Sequence, residues 1–128
     1  MNARRGRVLV VDDEPMVGSS IRRLLGRDHE VVVVQSGKEA VAKIAAGERY
    51  DVIICDLLMP EMTGMDVYAD FKTRDPDLAQ RMVFLSGGAV TQKARDFYEQ
   101  VPNTKIEKPF DAARLREVVQ GFVARSGP

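Results

Sequence analysis

Asp12, Asp13 and Glu14 directly follow the apolar run Val8 to Val11, and Asp56 follows Val52 to Cys55. Ser86 follows Met82 to Leu85, and Lys108 with Pro109 closes a weaker run from Thr104 to Glu107. Taken singly, each has an ordinary explanation: an acid can cap the next helix, a serine before glycines can form a turn, and a lysine can be a solvated charge. Together they are harder to dismiss. With each charged type at roughly 6% of residues, matching acid, acid, Asp, Ser or Thr, and Lys at five positions has a chance on the order of one in a million. Three carboxylates gathered at one place repel by roughly 4 kcal/mol per pair at about 4 Å and an effective dielectric near 20. A cation relieves that repulsion, and an oxygen-only donor set with few protein ligands suits Mg²⁺. Lys108 adds positive charge without competing for the metal. Metal, ammonium and hydroxyl are what a transferring phosphoryl group requires. Asp56 stands alone at its strand end and is the candidate nucleophile, whereas Asp12 and Asp13 form a pair able to hold metal. The product would be an acyl phosphate. Neither Gly-x-x-x-x-Gly-Lys-Ser/Thr nor Gly-x-Gly-x-x-Gly occurs, so the phosphate must arrive on another molecule.

Such convergence demands elements that end at one edge. The four runs Val8 to Val11, Val31 to Val34, Val52 to Cys55 and Met82 to Leu85 are continuously apolar and read as strands buried on both faces, with a weaker fifth around Thr104 to Glu107. Helical spacing separates them. Glu14 and Pro15 open a helix carrying Val17, Ile21, Leu24 and Leu25, weakened at Gly26. Ser36 and Glu39 form a capping box ahead of Ala40, Val41, Ile44 and Ala45. A third helix runs from about Gly64 to Thr73 with Val67, Tyr68 and Phe71, and Asp75 and Pro76 mark its exit. Val90, Ala94, Phe97, Tyr98 and Val101 outline a short fourth between Gly87-Gly88 and Pro102. Asp111 caps the last, where Leu115, Val118, Val119 and Phe122 share a face. Strict alternation of five strands and five helices predicts a parallel sheet covered on both sides, with ligands at the strands' carboxyl ends.

Composition sets the outer bounds. The 128 residues suit one domain, with a core from about residue 7 to 123 and frayed ends at 1 to 6 and 126 to 128. At 45% hydrophobic and 30% charged the chain is an ordinary globular sequence. Lys plus Arg (19) cancels Asp plus Glu (19), so no overall field draws it to nucleic acid or a membrane. Cys55 is the single cysteine, which excludes an intramolecular disulfide and points to a reducing, cytoplasmic setting. The run behind Arg4, Arg5 and Arg7 is too short for a signal or spanning segment. Cys55 reads as core, His29 as a surface residue, and Met59, Met62 and Met65 as gap fillers.

Val8 to Glu14 reading V-L-V-V-D-D-E, Asp56 followed by Leu57, Leu58, Met59 and Pro60, then Ser86, then Lys108, Pro109 and Phe110, resemble the receiver domain of bacterial two-component response regulators. The likeness runs from about Arg7 to Val123, with spacings of 43 from Asp13 to Asp56, 30 to Ser86 and 22 to Lys108. It implies an α/β flavodoxin-like, doubly wound five-stranded parallel sheet of order 2-1-3-4-5. It also implies Mg²⁺-dependent transfer of phosphate from a histidine kinase or phosphotransfer domain to Asp56, with a conformational switch as output. On this basis Asp12, Asp13, Asp56 and the backbone carbonyl of Leu58 would hold Mg²⁺. Ser86 and Lys108 would each meet a phosphoryl oxygen, Lys108–Pro109 would be cis, and Gly64 would end the loop after Asp56.

Two features depart from that pattern. The family often has Tyr or Phe three residues before the lysine; here it is Lys105, read as a solvated edge residue, so the face formed by the last two helices and last strand must signal by loop and helix movement. The residues two beyond Asp56 and two beyond Ser86 are Leu58 and Gly88, neither able to orient water, which predicts slow self-dephosphorylation. Competing readings are a pseudo-receiver that binds protein without taking phosphate, and a hydrolase with an aspartyl phosphate intermediate, for which Glu14 supplies a partial match. The chain is expected to be no conventional enzyme but a receiver that assists its own modification, monomeric or weakly dimeric, free-standing or part of a hybrid kinase.

Overall fold

The computed structural model describes residues 5–87 and 91–126. Five strands, β1 (Arg7–Val11), β2 (Glu30–Val34), β3 (Val52–Asp56), β4 (Met82–Ser86) and β5 (Lys105–Glu107), form one parallel sheet of order β2-β1-β3-β4-β5. The helices are α1 (Pro15–Leu25), α2 (Gly37–Ala45), α3 (Gly64–Arg74), α4 (Pro76–Gln80), α5 (Gln92–Gln100) and α6 (Ala112–Ser126). This is the expected α/β, flavodoxin-like architecture, with six helices among the described residues where the sequence pattern predicts five.

The additional helix has a local cause. Pro76 lacks the amide needed to extend α3, yet its fixed φ suits the first position of a new turn. α4 starts there and buries Leu78 and Ala79.

Alternation along the strands divides the core in two. Leu9, Val11, Ile53, Cys55, Met82 and Phe84 face one side with Ala40, Ile44, Val67, Phe71, Leu78 and Ala94 from α2 to α5. Val8, Val10, Val52, Ile54, Val83, Leu85 and Ile106 face the other with Ile21, Leu25, Leu115, Val119 and Val123 from α1 and α6. β1, β3 and β4 are buried almost throughout, but Val31, Val32 and Val33 of β2 are half-buried, because β2 lies at the sheet edge with one neighbour. Four valines in a row thus mark an edge strand here, not a central one.

Helix starts follow the side chains available. Ser36 Oγ accepts the Glu39 amide at 3.1 Å, but the Glu39 carboxylate takes the Ser36 hydroxyl and the Gln35 amide, so only one arm of the expected box closes. The full reciprocal box belongs to α3, between Thr63 and Asp66, a Thr-x-x-Asp signal that sequence reading passed over. Thr91 caps α5, and Asp111 Oδ1 accepts the Ala113 amide at the start of α6. Val90, expected in the helix before Pro102, and Gly88 lie outside the described residues.

At the opposite end of the sheet, His29 is buried, against the expectation of a surface residue. Its Nδ1 accepts the Gly6 amide at 3.0 Å, while the Gly6 carbonyl accepts the Glu30 amide. Gly6 is therefore built into the fold and not frayed. Among the described residues no helix is long and apolar enough to cross a membrane.

Candidate functional site

Register explains why distant residues converge. Val10 pairs with Ile54 and Val11 with Cys55, so the next positions, Asp12 and Asp56, lie side by side at the carboxyl edge. Leu85 pairs with Ile106 and Ser86 with Glu107, and the Lys108 amide donates to the Ser86 carbonyl at 2.8 Å. Asp12, Asp56 and Lys108 share the parity of Val10, Ile54 and Ile106, which sends their side chains out on one side of the sheet. Ser86 shares the parity of Phe84 and turns toward α5.

The acids meet as expected. Asp12, Asp13 and Asp56 each offer a carboxylate oxygen within 4.8 Å of the others. Asp12 is fully buried; its Oδ1 accepts the Glu14 amide at 2.9 Å, and its Oδ2 accepts no aligned hydrogen bond. Lys108 Nζ sits 3.1 Å from Asp12 Oδ2, 3.2 Å from Glu14 Oε1 and 3.4 Å from Asp56 Oδ2. Glu14 leaves the start of α1 without a side-chain cap and reaches the ammonium instead.

The loop after β3 closes over this edge through Gly64. A Cβ there would lie 2.4 Å from the Asp56 carbonyl oxygen and 2.9 Å from the Leu57 Cα, so only glycine permits the chain to pass. Its amide donates to the Leu57 carbonyl at 2.9 Å. The Lys108–Pro109 peptide is cis. A cleft of about 260 Å³ results, lined by Asp13, Glu14, Asp56, Leu57, Leu58, Ser86, Gly87 and Lys108. A larger cleft, about 420 Å³ and lined by Asp77, Arg81 and Arg125 among others, lies away from these acids and includes the ion-paired Arg81 and Asp77.

Charge density shifts proton affinities. Burial, then the neighbouring Asp12 charge, pushes the Asp56 carboxyl up to about 6, against opposing pulls from Lys108 and a hydrogen bond from the Leu58 amide. Burial also raises Asp12. Lys108 is raised despite its own burial, because Asp12, Asp56 and Glu14 surround it. Burial, followed by the Asp56 and Asp12 charges, raises the Cys55 thiol, which is fully buried and inert, as its place in the core predicts. One ammonium thus faces Asp12, Glu14 and Asp56, with Asp13 close by. That donor set fits a hard divalent cation.

Two neighbours escaped the sequence reading. Lys105 is not simply solvated: its ammonium donates to the Val101 carbonyl at the end of α5 and lies 5.5 Å from the centre of the Tyr98 ring. Tyr98 itself, whose spacing marked it as core, places its hydroxyl beside Ser86 without an aligned hydrogen bond. Helical periodicity identifies the buried stripe but not which member's polar tip reaches the sheet edge.

An alternating parallel fold with acids, a hydroxyl and a lysine at the strands' carboxyl edge defines a doubly wound α/β module with its ligand site at that edge. The family model described as the response regulator receiver domain matches residues 8–120, and the chain belongs to that family. It is 28% identical over 123 residues to the response regulator MprA of Mycolicibacterium vanbaalenii, covering 95% of this chain and 52% of that protein. It is 30% identical over 120 residues to the sensor kinase CckA of Brucella abortus, covering 92% of this chain and 12% of that protein. The chain thus spans about half or less of these relatives' length. A response regulator receiver domain protein from Clostridium thermocellum superposes with a TM-score of 0.81 at 27% identity, covering 94% of this chain and 95% of that one.

Proposed function

We propose that the chain is a phospho-accepting signalling receiver in which Asp56 takes a phosphoryl group from a phosphohistidine of a histidine kinase or phosphotransfer domain. The observation that carries this reading is the meeting of Asp12, Asp13 and Asp56 with the Lys108 ammonium 3.4 Å from Asp56 in one small cleft. An Asp56 carboxylate oxygen attacks phosphorus, the phosphorus–nitrogen bond of the donor breaks, and the leaving imidazole keeps the electron pair. Lys108 is held where it can pair with a phosphoryl oxygen, and Ser86 presents its hydroxyl to another. Asp12, Asp13, Asp56 and the Leu58 carbonyl would hold Mg²⁺, which, when bound, neutralises charge on the transferring group.

Leu58 lines the cleft with an apolar side chain and offers nothing to orient an attacking water. The acyl phosphate is therefore long-lived. Output passes through the face of α5, β5 and α6, by movement of loops and helices as Ser86 is drawn toward the phosphoryl group. The proposed partner chemistry places the domain in the cytoplasm, as a free-standing regulator or as the receiver of a hybrid kinase.

Incubation with acetyl phosphate and Mg²⁺ tests the reading by mass spectrometry. One added phosphoryl group is expected on the native chain and none on Asp56→Asn. An unmodified native chain would leave a protein-binding pseudo-receiver as the better description.

A further inference from the structure

Among the described residues two buried side-chain polar atoms lack a hydrogen bond, Asp12 Oδ2 and the Tyr98 hydroxyl, and both border the same site. The first is a candidate cation ligand. The second has no role in the reading above.

Tyr98 projects from α5 into the core cluster that includes Phe84 and Phe97. β4 alternation sends Phe84 and Ser86 toward that helix, and their partners on β5 are Lys105 and Glu107. The phenol therefore lies over the corner where Ser86, Lys105 and Glu107 meet. Lys105 steadies the ring, with its ammonium 5.5 Å from the ring centre and anchored to the Val101 carbonyl. Ser86 is itself buried beside the cleft.

A serine hydroxyl has one proton and two lone pairs. If Ser86 gives its proton to an anionic oxygen in the cleft, its own oxygen becomes a stronger acceptor from behind, because hydrogen bonds in a chain polarise one another. The Tyr98 hydroxyl is the buried donor next to it, without a hydrogen-bond partner among the described residues. We propose that Tyr98 is a positioning residue that donates to Ser86 Oγ when Ser86 donates to a phosphoryl oxygen on Asp56, forming a relay from α5 to the modified carboxylate.

Burial, opposed by the neighbouring Ser86 hydroxyl and reinforced by the Glu107 and Asp56 charges, holds the phenol above its ordinary range, so it keeps the proton it must donate. The inference rests on the phospho-accepting reading and on Ser86 contacting the phosphoryl group.

Beryllium fluoride with Mg²⁺, a stable mimic of a phosphoryl group on a carboxylate, is the probe. It is titrated into the native chain, Tyr98→Phe, Ser86→Ala and the double variant, with affinity read by calorimetry. One net hydrogen bond predicts about fivefold weaker binding for Tyr98→Phe. The same change made in Ser86→Ala should cost nothing further. With no Trp and three Tyr in the chain, tyrosine difference absorbance adds a direct signature. A red shift on binding reports a phenol becoming a donor, and its loss in Tyr98→Phe assigns it to Tyr98. Thermal stability of the free Tyr98→Phe chain should be unchanged or higher, which separates the relay from ring packing. Equal affinity for Tyr98→Phe and native chain, or an equal loss in the Ser86→Ala background, overturns the inference while leaving phosphorylation of Asp56 intact. Failure of the native chain to bind the probe overturns both.

Discussion

Replacing Asp56 with Asn should make the metal-free protein more stable, although it destroys the proposed phosphorylation site. Asp56 is 6% exposed and its carboxyl is raised from 3.8 to about 6. Roughly two units at about 1.4 kcal/mol each make the ionised side chain cost the fold about 3 kcal/mol at neutral pH. Asparagine resembles the protonated acid and escapes that cost, from which the 3.4 Å attraction to Lys108 is already discounted, so a gain of up to about 3 kcal/mol is expected. The sign follows from linkage. Because the folded-state value lies above the unfolded one, the native protein binds more protons between them, and its stability falls as pH rises through about 6. The advantage of Asp56→Asn should thus be full near pH 7.5, about half as large near pH 5, and absent below about pH 3.8. Urea unfolding of both chains in chelator, at several pH values, measures it. Mg²⁺ should close the gap by stabilising the native chain more than the variant. A variant less stable than the native chain at pH 7.5, or an advantage that does not shrink on acidification, would refute the electrostatic account of the cluster.

Gly64→Ala should cost about 2 kcal/mol or more and abolish labelling by acetyl phosphate, since its Cβ meets Asp56 and Leu57 backbone at 2.4 and 2.9 Å; native-like melting would contradict this. His29→Ala should lose about 1 to 3 kcal/mol in chemical unfolding by stranding the Gly6 amide, with labelling of Asp56 unaffected. The phosphorylated native chain should lose phosphate over minutes or longer, and Leu58→Asn should shorten that by about tenfold in a phosphate-release assay. Loss within seconds from the native chain would show that another group orients the water.

The parallel sheet and the convergence of Asp12, Asp13, Asp56, Ser86 and Lys108 were legible because both follow from strand-length apolar runs and what ends them, whereas the strand order came with the resemblance to receiver domains. A parallel sheet puts all carboxyl ends at one edge, so spacing along the chain translates into proximity. What escaped depends on contacts that periodicity does not encode. His29 is polar and precedes an edge strand, which suggests solvent, yet it is buried, with its Nδ1 accepting the Gly6 amide. The valines of β2 suggest a strand buried on both faces, but their burial depends on how many strands lie beyond them. Pro76 signals the end of one helix and, by the same fixed φ, the start of another. Lys105 reads as a solvated charge until the end of α5 is seen to supply a carbonyl and a ring.

The instability predicted for Asp56 would also equip it for the proposed transfer. A carboxylate with an ordinary pKa is a weak nucleophile, and one raised far above neutrality would be protonated and inert. A value near 6 leaves roughly nine carboxyls in ten ionised at pH 7 while making them more basic than a solvated aspartate. Burial and opposing neighbours set that compromise. Asp12 pushes the value up, and Lys108 together with the Leu58 amide restrains it. Lys108 can do so from within a poorly solvated cluster because Glu14 and Asp12 share its charge. Lys108→Met should therefore raise Asp56 further, measurable by carboxyl-carbon NMR titration, and should move the acid limb of acetyl phosphate labelling to higher pH. If that limb stays in place, burial and Asp12 set the basicity of Asp56 without Lys108, and the ammonium serves only the incoming phosphoryl group.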